Sequence, residues 1–169
     1  MKKLLYLPCT LLVAFLFCLC LKSCFPVRPS FESIETHFRN NYEDIQIIVE
    51  FISGSTYNSV FINTSDGTML ADLETLEIED ENVKKAIKRL LGGTFVRERQ
   101  YYSVSMSGNT IWLLQWKSPQ DVGCGVTYSI NKTDIMDAMD YITELVPLSE
   151  AGWYCYVDDY NAWRTGKHP

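Results

Sequence analysis

Residues 103–117 read SVSMSGNTIWLLQWK, and a second strand-like run, GVTYSI, follows at 125–130. Around Ser107-Gly108-Asn109, a turn composition, the residues favour extended backbone on both sides. The stretch therefore reads as one strand from Thr94 to Met106 and another from Thr110 to Lys117, with Gly125–Ile130 as a third. Adjacent strands joined by short turns pair antiparallel, which makes the C-terminal half of the chain a meander.

Upstream, Phe31, Ile34, Phe38, Tyr42, Ile45, Ile48, Val49 and Ile52 recur in steps of three and four. That spacing predicts a helix with one apolar stripe, capped by Ser30, closed by Gly54, and open to a bend at Asn40-Asn41. Thr56–Asn63 and Thr68–Leu73 flank a Gly-containing turn as a hairpin, and Leu76–Ile78 continues it or adds a strand. A second helix spans Asp80 to Leu91. Acids open it and bases close it, in the order that complements the helix dipole. Thr133–Glu144 has two readings: a helix capped by Thr133, or a loop leading to a strand over Ile142–Leu148. Trp153–Val157 is the last strand. The expected fold is α+β: a single antiparallel sheet of about five to seven strands with two or three helices packed on one face. Residues 31–165 form the domain, 25–30 (FPVRPS) a short linker, and 166–169 a disordered tail.

The first 24 residues are of another kind. Lys2 and Lys3 precede an uncharged run from Leu4 to Leu21, which ends at Lys22-Ser23-Cys24. A basic start and a long apolar core are the layout of a secretory signal or an N-terminal anchor, with the domain on the outer side. The Met-Lys-Lys start and Leu-rich run resemble a bacterial export signal, and Leu21-Lys22-Ser23-Cys24 resembles a lipobox, which would make Cys24 the lipid-bearing residue. Three fates fit: a lipoprotein attached at Cys24, an uncleaved anchor, or cleavage after Ser23 and release.

Beyond residue 24 lie all 21 acids but only 12 of the 15 Lys and Arg, so the exported part carries a formal charge of −9. Such a charge disfavours nucleic acid and anionic lipid as partners. Of the six cysteines, only Cys124 and Cys155 belong to the domain. In an outward-facing protein they are a candidate disulfide, and two thiols are too few for a metal site.

No residue set has the composition of a catalytic or cofactor site, and no cofactor is expected. His37 and His168 are the two histidines, and nothing local links either to Cys124. Asp134, Asp137 and Asp140 recur every three residues without the spacing of a calcium loop. The chain is rich in aromatics towards its end (WYCYVDDYNAW, 153–163), and Trp112 and Trp116 have even spacing on one strand. Strand alternation gives one candidate aromatic binding face made of Trp112, Trp116, Tyr154 and Tyr156. The expected function is a non-catalytic binding domain of a bacterial envelope, tethered to the membrane by its N-terminal segment or secreted. Its partner would be another envelope protein or a wall component. An immunity- or inhibitor-type protein that meets a basic partner is one alternative. A hydrolase of envelope polymers using acids such as Asp158 or Asp159 is another.

Overall fold

A computed structural model describes residues 27–93 and 99–166. The expectations for residues 1–24, for the Thr94 end of its strand and for the last residues of the tail lie outside the described residues. Two helices come first, α1 (Phe31–Asn40) and α2 (Tyr42–Ser53). Three short strands follow, β1 (Ser59–Ile62), β2 (Thr68–Ala71) and β3 (Glu74–Glu77), then α3 (Glu81–Leu91). The second half runs β4 (Ser103–Ser107), β5 (Thr110–Lys117), β6 (Val122–Tyr128), α4 (Lys132–Ala138), β7 (Ile142–Pro147), β8 (Trp153–Asp159) and α5 (Tyr160–Arg164). All strands join one antiparallel sheet in the order β3-β2-β1-β4-β5-β6-β8-β7.

The α+β class and the single antiparallel sheet are as expected, with eight strands among the described residues rather than five to seven. The extra strands are β3, whose four residues pair fully with β2, and β7. Both readings of residues 133–144 are partly met. Asn131, not Thr133, caps the short helix α4, and the chain then extends into β7. The long first helix is two helices. Asn41 leaves helical geometry (φ −113°, ψ 10°), and its side chain donates to the His37 carbonyl at 2.8 Å, which closes α1 locally.

The core follows from strand alternation. Val60, Ile62, Met69, Ala71, Val104, Met106, Ile111, Leu113, Cys124, Val126, Cys155 and Val157 face one side of the sheet. There they meet the stripes of α1 (Ile34, Phe38), α2 (Ile45, Ile48, Val49, Ile52) and α3 (Val83, Ile87, Leu90, Leu91). Each Val, Leu, Ile, Phe or Met among them, fully buried, contributes roughly 1.5–3 kcal/mol. The caps are in place: Ser30 Oγ accepts from Ser33 N at 3.2 Å, and Asp80 Oδ1 accepts from Asn82 N at 2.7 Å. Not all helices lie on one face. α4 packs on the opposite side, where Ile135 joins Trp112, Ile142 and Tyr156 in a smaller core. The linker is partly held as well, since Arg28 pairs with Glu144 on the edge strand β7 at 2.7 Å.

The β2–β3 turn has only Asp72 and Leu73 between the paired residues Ala71 and Glu74. Both take positive φ (45° and 74°), as a two-residue turn of this kind demands, although neither is glycine. The Asp72 carboxylate is used, accepting from the backbone of Asn58 and Ser59. Leu73 is 89% exposed and gains nothing visible from its position. Leu73→Gly should therefore raise the unfolding free energy by about 0.5–1 kcal/mol, the left-handed cost less the entropy of glycine. Urea denaturation tests this, and a fall in stability would show that the Leu73 side chain is held by something.

Candidate functional site

The four aromatics expected to share an exposed face do not do so. Trp112 and Tyr156 are only 2% and 3% exposed. Their rings meet edge to face at 5.1 Å within the small core beneath α4. Tyr154 is half-buried against the same core. Trp116 points to the other side of the sheet. Its β5 neighbours explain why: Leu114 pairs with Gly125 but Trp116 pairs with Cys124, so Gln115 is an extra residue, a β-bulge. The bulge breaks the period of two, and even spacing no longer means one face. Gly125 permits it, because a Cβ there would lie 2.0 Å from the Leu113 carbonyl oxygen.

The candidate disulfide is not formed. Both cysteines are free and buried. Cys124 pairs with Val157 and Cys155 with Val126, so the two sit diagonally on neighbouring strands rather than opposite each other. Diagonal neighbours are typically about 7–8 Å apart, too far for the Cβ separation of about 3.5–4.5 Å that a disulfide needs. Burial pushes each thiol up to about 12, which leaves them unreactive at neutral pH.

The residues that do converge lie at the other end of these strands. β5 turns into β6 through Ser118-Pro119-Gln120-Asp121. Ser118 N donates to the Val122 carbonyl at 2.7 Å, and Ser118 Oγ accepts from Gln120 N and Val122 N at 3.1 Å each. Asp121 closes the turn in the left-handed region (φ 59°), which aspartate tolerates better than most residues. Lys117 bonds Asp121 across the turn at 3.2 Å. Tyr160 N donates to the Asp121 carbonyl at 3.2 Å, tying α5 to the same turn.

Successive acids on β8 then take different work. Asp159 Oδ1 caps α5 by accepting from Ala162 N at 2.7 Å. Asp158 Oδ1 accepts from Gly123 N at 2.8 Å. Gly123 makes room for this, because a Cβ there would lie 2.8 and 2.9 Å from the two carboxylate oxygens. Burial raises the Asp158 pKa above the ordinary carboxylate range, with the Gly123 N–H and the Lys117 charge opposing it. Oδ2 of Asp158 accepts no hydrogen bond among the described residues. Leu114, Lys117, Asp121, Gly123, Tyr141, Asp158 and Tyr160 line a cleft of about 290 Å³.

Beside the cleft stands an exposed group of rings. Tyr160 and Trp163 lie one helical turn apart on α5, stacked at 5.4 Å with 29° between planes, and Tyr141 meets both edge-on at 5.6 and 6.1 Å. Tyr160 stays 43% and Trp163 40% exposed. No family model, curated protein or solved structure matches this chain. The signal for this site was present in the DDYNAW run (158–163): a capping Asp followed by aromatics three apart. The strand expected to end at Val157 instead continues to Asp159, which brings both acids into the sheet.

Other candidates are accounted for. His37 is half-buried against Tyr101 (5.1 Å between ring centres) and donates from Nε2 to the Gln100 carbonyl, with burial lowering its pKa. Asp134 belongs to α4 and accepts from Asn131 Nδ2, whereas Asp140 lies past the helix end. Among the described residues no group of three or more His, Cys, Asp and Glu is placed to hold a metal ion. Cys24 and His168 lie outside the described residues.

Two results are expected. Alkylation of the native protein should leave the Cys124 and Cys155 peptides unlabelled, and denaturant should make both reactive, as read by mass spectrometry. A native disulfide would leave them unlabelled in both. An acid whose folded pKa is raised contributes fully below its unfolded pKa, and the contribution is lost as pH rises through the folded value. Asp158→Asn removes that loss while keeping an acceptor for Gly123 N. Its stability relative to wild type should rise from about pH 4 upward and then level off. A flat difference across that window would mean that Asp158 is not desolvated.

Proposed function

We propose that the protein is an extracytoplasmic binding domain of a bacterial envelope, tethered by its first 24 residues or released from them, and that it works by association rather than by chemistry. The observation that carries this reading is the exposed Tyr160–Trp163 stack beside a cleft with a charged rim. Tyr160 and Trp163 remain at the surface, 43% and 40% exposed. Aromatic side chains that stay exposed next to fixed polar groups are characteristic of contact surfaces. The groups that could act as nucleophile or base support the same reading. Both thiols are held protonated by burial, and the imidazole is committed to a backbone carbonyl. No helix among the described residues is long and apolar enough to cross a membrane.

A hydrolase of envelope polymers is the second reading, and the same cleft favours it, because Asp158 and Asp121 both line it. Asp158 would be the proton donor. Asp121 is already engaged with Lys117 at 3.2 Å, which places association first.

A photoactivatable residue substituted for Arg164, exposed and next to Trp163 on α5, tests the proposal in the producing cell, with Ser107, exposed on β4, as the control position. A covalent adduct in the envelope fraction is expected at 164 and not at 107. Absence of any adduct at 164 would overturn the binding reading. The intact mass of the purified protein tests the tether: a chain starting at Cys24 with lipid, at Met1, or just after Ser23 fits export, whereas an unprocessed chain confined to the cytosol refutes it.

A further inference from the structure

Resting on the binding reading above, we propose that the cleft between the 118–121 turn and α5 is a subsite for one uncharged pyranose ring of a polysaccharide, packed against Tyr160, whose ring Trp163 backs from outside the cleft. Three features of the site select this ligand class.

The first is the ring arrangement. Centres 5.4–6.1 Å apart mean that Tyr141, Tyr160 and Trp163 touch one another. They leave no gap for a cation to sit between their faces, so the group is a platform and not a cage. A flat, partly apolar ring can lie on such a platform.

The second is the mixture of signs at the rim. Asp158 Oδ2 is an acceptor with no donor among the described residues, and Gly123 N already fixes the other oxygen. Lys117 is a donor, paired at 3.2 Å with the acceptor Asp121. A lysine or arginine of a protein partner would meet Lys117, and an anionic ligand would meet two carboxylates. A hydroxyl both donates and accepts, so neighbouring hydroxyls of one sugar ring can satisfy the Asp158 acceptor and the Lys117 donor together. Hydrogen bonds to charged groups are the stronger kind, and the half-buried position of Asp158 enhances them.

The third is size and rigidity. At about 290 Å³ the cleft is at the small end of ligand pockets, room for one ring of a longer chain. It is formed by a four-residue turn held through Ser118, whose N–H donates to the Val122 carbonyl and whose Oγ accepts from Gln120 N and Val122 N, so its charged groups need little ordering when a ligand arrives.

Saturation-transfer NMR on the full-length protein in a phosphocholine detergent tests this. The probes are cellohexaose, tetra-N-acetylchitotetraose and, as a basic peptide, octalysine. Transfer to the ring protons of at least one oligosaccharide is expected. Affinity should fall about tenfold or more in Trp163→Ala and in Asp158→Asn, and stay within about twofold in Leu73→Gly, which is remote from the cleft in sequence and on another hairpin. Thermal melts confirm that the variants fold, and Tyr160→Leu replaces Trp163→Ala if that one does not. Absence of transfer to either oligosaccharide, or transfer that the variants leave intact, overturns the proposal. Octalysine binding that Asp158→Asn abolishes would also overturn it, while leaving the binding reading in place. No ligand here together with no adduct at position 164 would remove both.

Discussion

The structure depends on β5 being covered on both sides. Ile111 and Leu113 enter the main core beneath the helices, while Trp112 between them enters the smaller core under α4. A strand buried on both faces cannot slip by one residue without exchanging the contents of two cores. Register is therefore set at the centre of the sheet and passed outward through β4 and β1 on one side and β6 and β8 on the other. The edges reflect this. β3 carries Glu74 and Glu77, and β7 is bulged and meets Arg28, features that discourage further strand pairing.

One interruption of that alternation shapes the end of the sheet that holds the cleft. The bulge at Gln115 moves Trp116 to the helical side and bends β5 just before the 118–121 turn. The two glycines of Gly123-Cys124-Gly125 answer it differently. Gly125 allows the close approach of the bulged backbone, and Gly123 leaves space for the Asp158 carboxyl group. Cys124, between them, faces the core. A motif that looks like a reactive cysteine flanked by flexible residues is thus a packing solution, with Cys124 in the core and Gly123 giving room to the Asp158 carboxyl group.

Electrostatics and exposure then agree on what kind of surface this is. A formal charge of −9 beyond residue 24 would attract basic partners in general, yet the cleft itself contains a lysine held within a salt bridge. Mixed charges close together beside flat rings suit a neutral, hydroxyl-rich ligand better than an ion. Surface ion pairs such as Lys117–Asp121 add little stability, typically below about 1 kcal/mol. Their value here is in holding a donor and an acceptor at fixed places.

Much was legible in the residues alone. Periodicity located the apolar stripes of all three large helices, and the turn residues located the hairpins, because these signals depend on neighbours three or four positions away at most. The chain by itself also determined the class of the fold, the positions of the main strands and the isolation of an apolar, lysine-flanked N-terminus. What it could not determine were relations between distant residues. Whether Cys124 faces Cys155 depends on the register between β6 and β8, which a shift of two residues changes from opposed to diagonal. Whether Trp112 and Trp116 share a face depends on one inserted residue, whose only local sign is a glycine on the partner strand. The cleft is a product of tertiary structure in the same sense. Lys117 and Asp121, Tyr141, and Asp158 and Tyr160 come from three parts of the chain, and only the pairing of β5, β6 and β8 brings them together. Local periodicity decides which side chains are buried, but contacts between strands far apart in sequence decide which of the remaining ones meet.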